Sequence, residues 1–143
     1  MRHPFLEKAS DRMRTRILLK ALSIGYVVFL TALLLTADPG HLIGFRGNIP
    51  YWVYLLMPSA HLLSFFVLTV LFLAARWPVP WWLWIALLIG YGAATEGTQG
   101  LFPPRTPEWA DWFQDMVGVL LGAGFCGGVH FVLTWRRPRP LRS

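Results

Sequence analysis

Four long apolar runs constrain this chain more than any other feature of its sequence. They span residues 17–37, 51–75, 81 to about 99, and about 111–135, and Pro, Gly or charged residues follow each of them. As helices rising 1.5 Å per residue, they are long enough to cross a hydrocarbon core of about 30 Å. The pattern predicts an all-α fold, an integral membrane bundle of four transmembrane helices.

Composition agrees with this prediction. The chain is 55% hydrophobic with a mean hydropathy of +0.49, and a soluble domain of this size could not bury so much apolar surface. We expect a basic N-terminal segment (1–16), one transmembrane domain (17–135) and a basic tail (136–143). The N-terminal segment is too long and too charged for the n-region of a signal peptide, so the first run is expected to be a retained helix.

Positive charges are distributed unequally around the runs. Eleven of the thirteen Lys and Arg residues lie before or just inside the first run, at Arg76, or in the tail, whereas the other two connections contain only Arg46 and Arg105. By the positive-inside rule both termini are cytoplasmic, and residues 38–50 and 100–110 face outward. Because the charges flank the runs and form no continuous basic face, we expect membrane lipids as partners and no nucleic acid.

Polar side chains inside the runs indicate a candidate functional site, since a charge at the centre of a transmembrane helix costs at least about 2.5 kcal/mol. His61 lies in the second run, and Ser64 follows at i+3 on the same helical face. Glu96 and Gln99, also spaced i, i+3, lie near the end of the third run. Gly92 comes one turn before Glu96 and permits close approach of another helix or a ligand.

A further group surrounds the start of the fourth run. Asp111 and Asp115 are spaced i, i+4, so their carboxylates can share one helical face, and Arg105 precedes them in a proline-rich connection. The predicted topology brings six side chains together as one polar pocket in the outer leaflet: His61, Glu96, Gln99, Arg105, Asp111 and Asp115. Ser64, on the same face as His61, is a further candidate ligand-binding residue.

Four of these residues also have a purely structural explanation. His61 can be a neutral histidine bonded across a helix interface, and Glu96 can reach water near the membrane surface. Asp111 can cap the fourth helix, and Arg105 can pair with Glu108 at the surface.

No metal ligand or cofactor is assigned from the sequence. A divalent cation on His61, Glu96 and the aspartates is chemically possible, because mixed N and O ligands suit Zn or Mn, but the spacing is not specific. The single cysteine, Cys126, excludes an intramolecular disulfide, and with His130 it offers too few ligands for a metal site. The glycines of the fourth run predict tight helix packing: Gly118, Gly122, Gly124 and Gly128.

The order of these polar residues resembles the VanZ-like family, named after a protein associated with teicoplanin resistance. The resemblance covers roughly residues 51–124 and rests on His61 in an aromatic-rich second helix, Glu96-x-x-Gln99, Arg105, Asp111, and Asp115-x-x-Gly118. The family often has Asp-Lys where this chain has Met57-Pro58, and Asn in place of Asp115. The resemblance implies a bacterial cytoplasmic membrane protein linked to the cell envelope or antibiotic resistance.

Three functions follow as hypotheses. A binding or transport module would take up an amphiphile or glycopeptide-related ligand in the pocket. A membrane enzyme would act on a lipid-linked cell-wall precursor, with Glu96 as general acid or base and His61 as second proton carrier. Arg105 would then hold a phosphate or carboxylate, and Asp111 would orient it. In the structural alternative, the polar groups only tie the helices together or dock a partner.

Overall fold

The computed structural model describes residues 4–36, 44, 59–101 and 108–135. These residues form four α-helices and no strand: α1 (Pro4–Leu35), α2 (Ala60–Ala74), α3 (Trp81–Gln99) and α4 (Trp109–Trp135). The all-α prediction is therefore confirmed for the described residues. Two helices, over Lys8–Leu35 and Trp109–Trp135, are long and apolar enough to cross a membrane, which weakly indicates membrane association.

The first helix begins well before the first apolar run. It starts at Pro4, so the predicted boundary between the segments 1–16 and 17–135 falls inside one continuous helix. Segment 4–16 is rich in Leu, Lys, Glu, Ala, Met and Arg, which are good helix formers. Hydropathy does not reveal this part of the helix, because charge interrupts the apolar pattern without interrupting the backbone.

The second helix contacts all three others and packs most extensively against α4. Glycines on α4 permit this approach: a Cβ at Gly118 would overlap the carbonyl oxygen of Leu62, and one at Gly122 would lie 2.9 Å from that of Phe66. The packing prediction holds for these two glycines. It is wrong for Gly124 and Gly128, where a Cβ would meet nothing within 4 Å among the described residues.

Apolar side chains fill the bundle centre and also cover much of its outer surface. Leu30, Phe65, Leu68 and Val119 are at most 1% exposed and form the centre of the core. Large apolar side chains point outward along α1 and α4, including Leu22, Val28, Leu120, Phe125 and Phe131. Such outward faces are unusual for a soluble chain, which rarely exposes large contiguous apolar patches.

Candidate functional site

The candidate site lies at the end of the bundle where α2 begins, α3 ends and α4 begins. His61 is in the first turn of α2, Glu96 is in the last turn of α3, and Asp115 is in the second turn of α4. Each offers one potential ligand atom, and these three atoms lie within 4.8 Å of one another. We call His61, Glu96 and Asp115 the buried triad.

A hydrogen bond joins two members of the buried triad. Asp115 Oδ1 lies 2.9 Å from His61 Nδ1, and the Asp115 side chain is completely buried whereas His61 is 17% exposed. Asp115 precedes Gly118 by three residues and therefore faces α2 along the same stripe of α4. Gly92 on α3 leaves room for the carboxylate, since a Cβ there would lie 3.0 Å from Asp115 Oδ2.

The other imidazole nitrogen faces the open edge of the site. His61 Nε2 lies 3.6 Å from Asp111 Oδ2, which is beyond hydrogen-bond length, and the Asp111 side chain is 31% exposed. Gln114 Nε2 donates to Asp111 Oδ1 at 3.3 Å and so helps to orient this carboxylate. Asp111 is therefore the partly exposed carboxylate beside the buried triad.

Glu96 connects the end of α3 to the start of α4. Only 4% of this residue is exposed, and its Oε2 accepts the backbone N–H of Glu108 at 3.2 Å. Sequence reasoning missed this contact, since it considered only the Glu108 side chain. A backbone donor has no signature in the residue type, so only the tertiary structure shows this contact.

Two buried carboxylate oxygens of the triad accept no hydrogen bond from the described residues. They are Glu96 Oε1 and Asp115 Oδ2. A buried acceptor without a donor is destabilising, and for a charged group the penalty is larger than about 1–3 kcal/mol. The site therefore has unused capacity to bind a donor or a cation.

The described part of the site is acidic. It combines the carboxylates of Glu96, Asp111 and Asp115 with one imidazole, and the ion-pair partner found for the two aspartates is His61. Arg105, the cation that we predicted beside them, lies outside the described residues. Within the described ranges, negative charge therefore dominates.

Two predicted ligand-binding residues make helix-to-helix contacts instead of joining the triad. Gln99 Nε2 donates to the Leu34 carbonyl of α1 at 3.2 Å, and the Ser64 carbonyl accepts the Tyr26 hydroxyl at 3.4 Å. Gln99 makes its contact with the side chain, whereas Ser64 makes its contact with the backbone carbonyl and not with the hydroxyl. The structural alternative thus fits Gln99 and leaves the triad unexplained.

No family model, curated protein or solved structure matches this chain. The VanZ-like resemblance consequently remains a hypothesis that rests on the residues quoted above.

Proposed function

We propose that this chain is a multi-pass, VanZ-like protein of the bacterial cytoplasmic membrane that binds the polar headgroup of an amphiphile at the buried triad. The observation that carries the proposal is the pair of buried carboxylate oxygens, Glu96 Oε1 and Asp115 Oδ2, which have no donor among the described residues and lie beside a solvent-accessible Asp111. Groups that served only to hold helices together would be expected to be paired with one another. These two remain available to a ligand.

Four membrane spans are the second part of the proposal. The outward apolar side chains of α1 and α4 suit lipid contact, and the interior polar triad suits the rule that ionisable groups in membranes face protein or water. With both termini cytoplasmic, the starts of α2 and α4 and the end of α3 lie at the outer side. The triad then opens to the outer leaflet.

A topology measurement tests this orientation. Starting from a Cys126→Ser background, single cysteines at Ser10 and Glu108 report the two sides of the membrane. A membrane-impermeant maleimide on intact cells should label the Glu108→Cys chain and should leave the Ser10→Cys chain unlabelled until the cells are opened. The reverse labelling would place the triad on the cytoplasmic side and contradict uptake from the outer leaflet.

The ligand class follows from the depth and location of the site. A headgroup entering past Asp111 would leave its hydrocarbon tail along the exposed apolar faces. Lipid-linked cell-wall precursors and glycopeptide-related molecules combine a polar group with an apolar part in this way. Binding or transport of such a ligand connects the site to the cell-envelope phenotype that the VanZ-like resemblance implies.

An enzymatic function is the second candidate, and one observation favours it. The hydrogen bond between Asp115 and His61 Nδ1 fixes the imidazole and leaves Nε2 toward the open edge. A carboxylate that orients a histidine in this manner is a recurring element of acid–base catalysis. Glu96 and His61 would then exchange protons with a lipid-linked cell-wall precursor.

Glu96→Gln tests the proposed function. Glu108→Gln is the matched control, because it makes the same substitution at an exposed residue next to Glu96. Glutamine keeps an oxygen for the Glu108 N–H but removes the charge. In nanodiscs, Glu96→Gln should lose at least about tenfold in affinity for a photoreactive polyprenyl-linked precursor, a change of about 1.4 kcal/mol, and the control should bind normally. Equal binding by both variants would contradict the proposal, whereas wild-type turnover of the precursor seen by mass spectrometry would favour the enzyme.

A further inference from the structure

We propose that the buried triad is a binding site for a divalent transition-metal ion of the Zn²⁺ class. His61, Glu96 and Asp115 would supply one ligand each. The inference begins with Glu96 Oε1 and Asp115 Oδ2, two oxygens that accept no hydrogen bond from any described residue and belong to residues that are 4% and 0% exposed. Both belong to the same group of three closely spaced side chains.

The spacing of the triad suits a metal ion after a small contraction. Ligand atoms about 2.0–2.2 Å from Zn²⁺ in a tetrahedron lie about 3.4 Å from one another. The three candidate atoms lie within 4.8 Å of one another. Shifts of about 1 Å by each side chain would bring them to the spacing of ligands around Zn²⁺.

Charge supports the same conclusion. Carboxylates that lie close together away from water repel one another, and here Glu96 and Asp115, each with one oxygen that accepts no hydrogen bond from the described residues, lie together with Asp111 nearby. One divalent cation would neutralise the Glu96 and Asp115 carboxylates and would accept a lone pair from a neutral imidazole. It would satisfy in one step the two oxygens that the described protein leaves without partners.

The ligand types select among cations. Carboxylates alone would suit Mg²⁺ or Ca²⁺, but an imidazole nitrogen favours Zn²⁺ and its transition-metal neighbours. Three protein ligands are typical of zinc sites that keep one position open, whereas closed structural sites have four. Asp111, whose Oδ2 lies 3.6 Å from His61 Nε2 and whose side chain is 31% exposed, lies beside the triad.

A bound ion would also resolve a conflict in the proposed function. Lipid-linked precursors carry phosphate, which the carboxylates of the described site would repel. With Zn²⁺ in the triad, an anionic headgroup could occupy the open position. This role depends on the proposed function, whereas the metal site itself depends only on the geometry of the triad.

The test uses the full chain, purified in detergent with its affinity tag removed and stripped with a chelator. Titration with Zn²⁺ alone should show about one ion per chain by elemental analysis and calorimetry. Loss of a group that only hydrogen-bonds to a metal ligand typically lowers metal affinity about 10–100-fold. Loss of a direct ligand should therefore lower the affinity for Zn²⁺ at least about 100-fold. The variants that remove one are Glu96→Gln, Asp115→Asn and His61→Ala. Glu108→Gln and His130→Ala, at exposed positions outside the triad, should bind Zn²⁺ normally.

Two results would overturn the site. One is the absence of stoichiometric Zn²⁺ binding by the wild type, and the other is unchanged binding in all three triad variants. If a variant fails to fold by circular dichroism, X-ray absorption of the wild-type Zn²⁺ complex replaces it. A spectrum that shows one imidazole and oxygen ligands would support the triad as the metal site. A sulfur ligand, which would implicate Cys126, would refute it. A metal-free chain that still binds the precursor would refute the role of the metal in headgroup binding and leave the proposed function standing.

Discussion

Gly118→Ala is expected to destabilise the helix bundle by about 3 kcal/mol. Overpacking a filled interface typically costs about 1–3 kcal/mol, and the larger value is expected where backbone must move. Here the new Cβ would overlap the carbonyl oxygen of Leu62, so no side-chain rotation relieves the clash and α2 must separate from α4. This interface is the most extensive in the bundle and also positions Asp115 against His61.

Gly124→Ala is the matched control, because it lies on the same helix with nothing within 4 Å of a new Cβ. Alanine there should stabilise the chain by up to about 1 kcal/mol through its higher helix propensity. Thermal unfolding of both variants in one detergent provides the comparison. Similar melting temperatures for the two variants would show that α2 and α4 do not pack as described.

His61→Leu is expected to destabilise the metal-free protein by roughly 3–5 kcal/mol. The variant leaves the Asp115 carboxylate fully buried without its hydrogen-bond partner, and removing one member of a buried pair typically costs that amount. Chelator is present in the measurement so that no metal contributes. The expected loss of stability comes from the unpaired charge of Asp115, since leucine itself is readily accommodated at a position that is 17% exposed.

The double variant His61→Leu/Asp115→Asn separates this reason from a simple loss of packing. Asparagine removes the charge at nearly constant volume, so the double variant should unfold at a higher temperature than His61→Leu alone. A double variant that is less stable than His61→Leu would contradict the explanation by the unpaired Asp115 charge. Thr134→Val, at an exposed position, serves as the neutral control. Circular dichroism gives the unfolding curves of this control, of His61→Leu and of the double variant.

Helical content and approximate helix positions could be predicted from the sequence, because both depend on local features. Apolar runs set the helix lengths, and Pro and Gly after each run set the ends. The beginning of α1 could not be predicted in this way, since segment 4–16 forms helix by propensity while its charges remove the apolar signal. The second run is predicted from residue 51, whereas α2 begins at Ala60 and residues 51–58 lie outside the described residues. The number of membrane spans stays a prediction.

The sequence by itself determined which residue types are costly in an apolar chain, and therefore which positions belong to the candidate site. His61, Glu96 and Asp115 are identified in this way, because an ionisable group within an apolar run requires a partner wherever the helix lies. Only the tertiary structure decided which partner each residue has. It joins His61 to Asp115, directs Gln99 to the Leu34 carbonyl of α1, and gives Glu96 a backbone donor at Glu108. These choices depend on the rotation and separation of the helices. Contacts between residues far apart in sequence set both, as the contact of Gly118 with Leu62 does for α4 and α2.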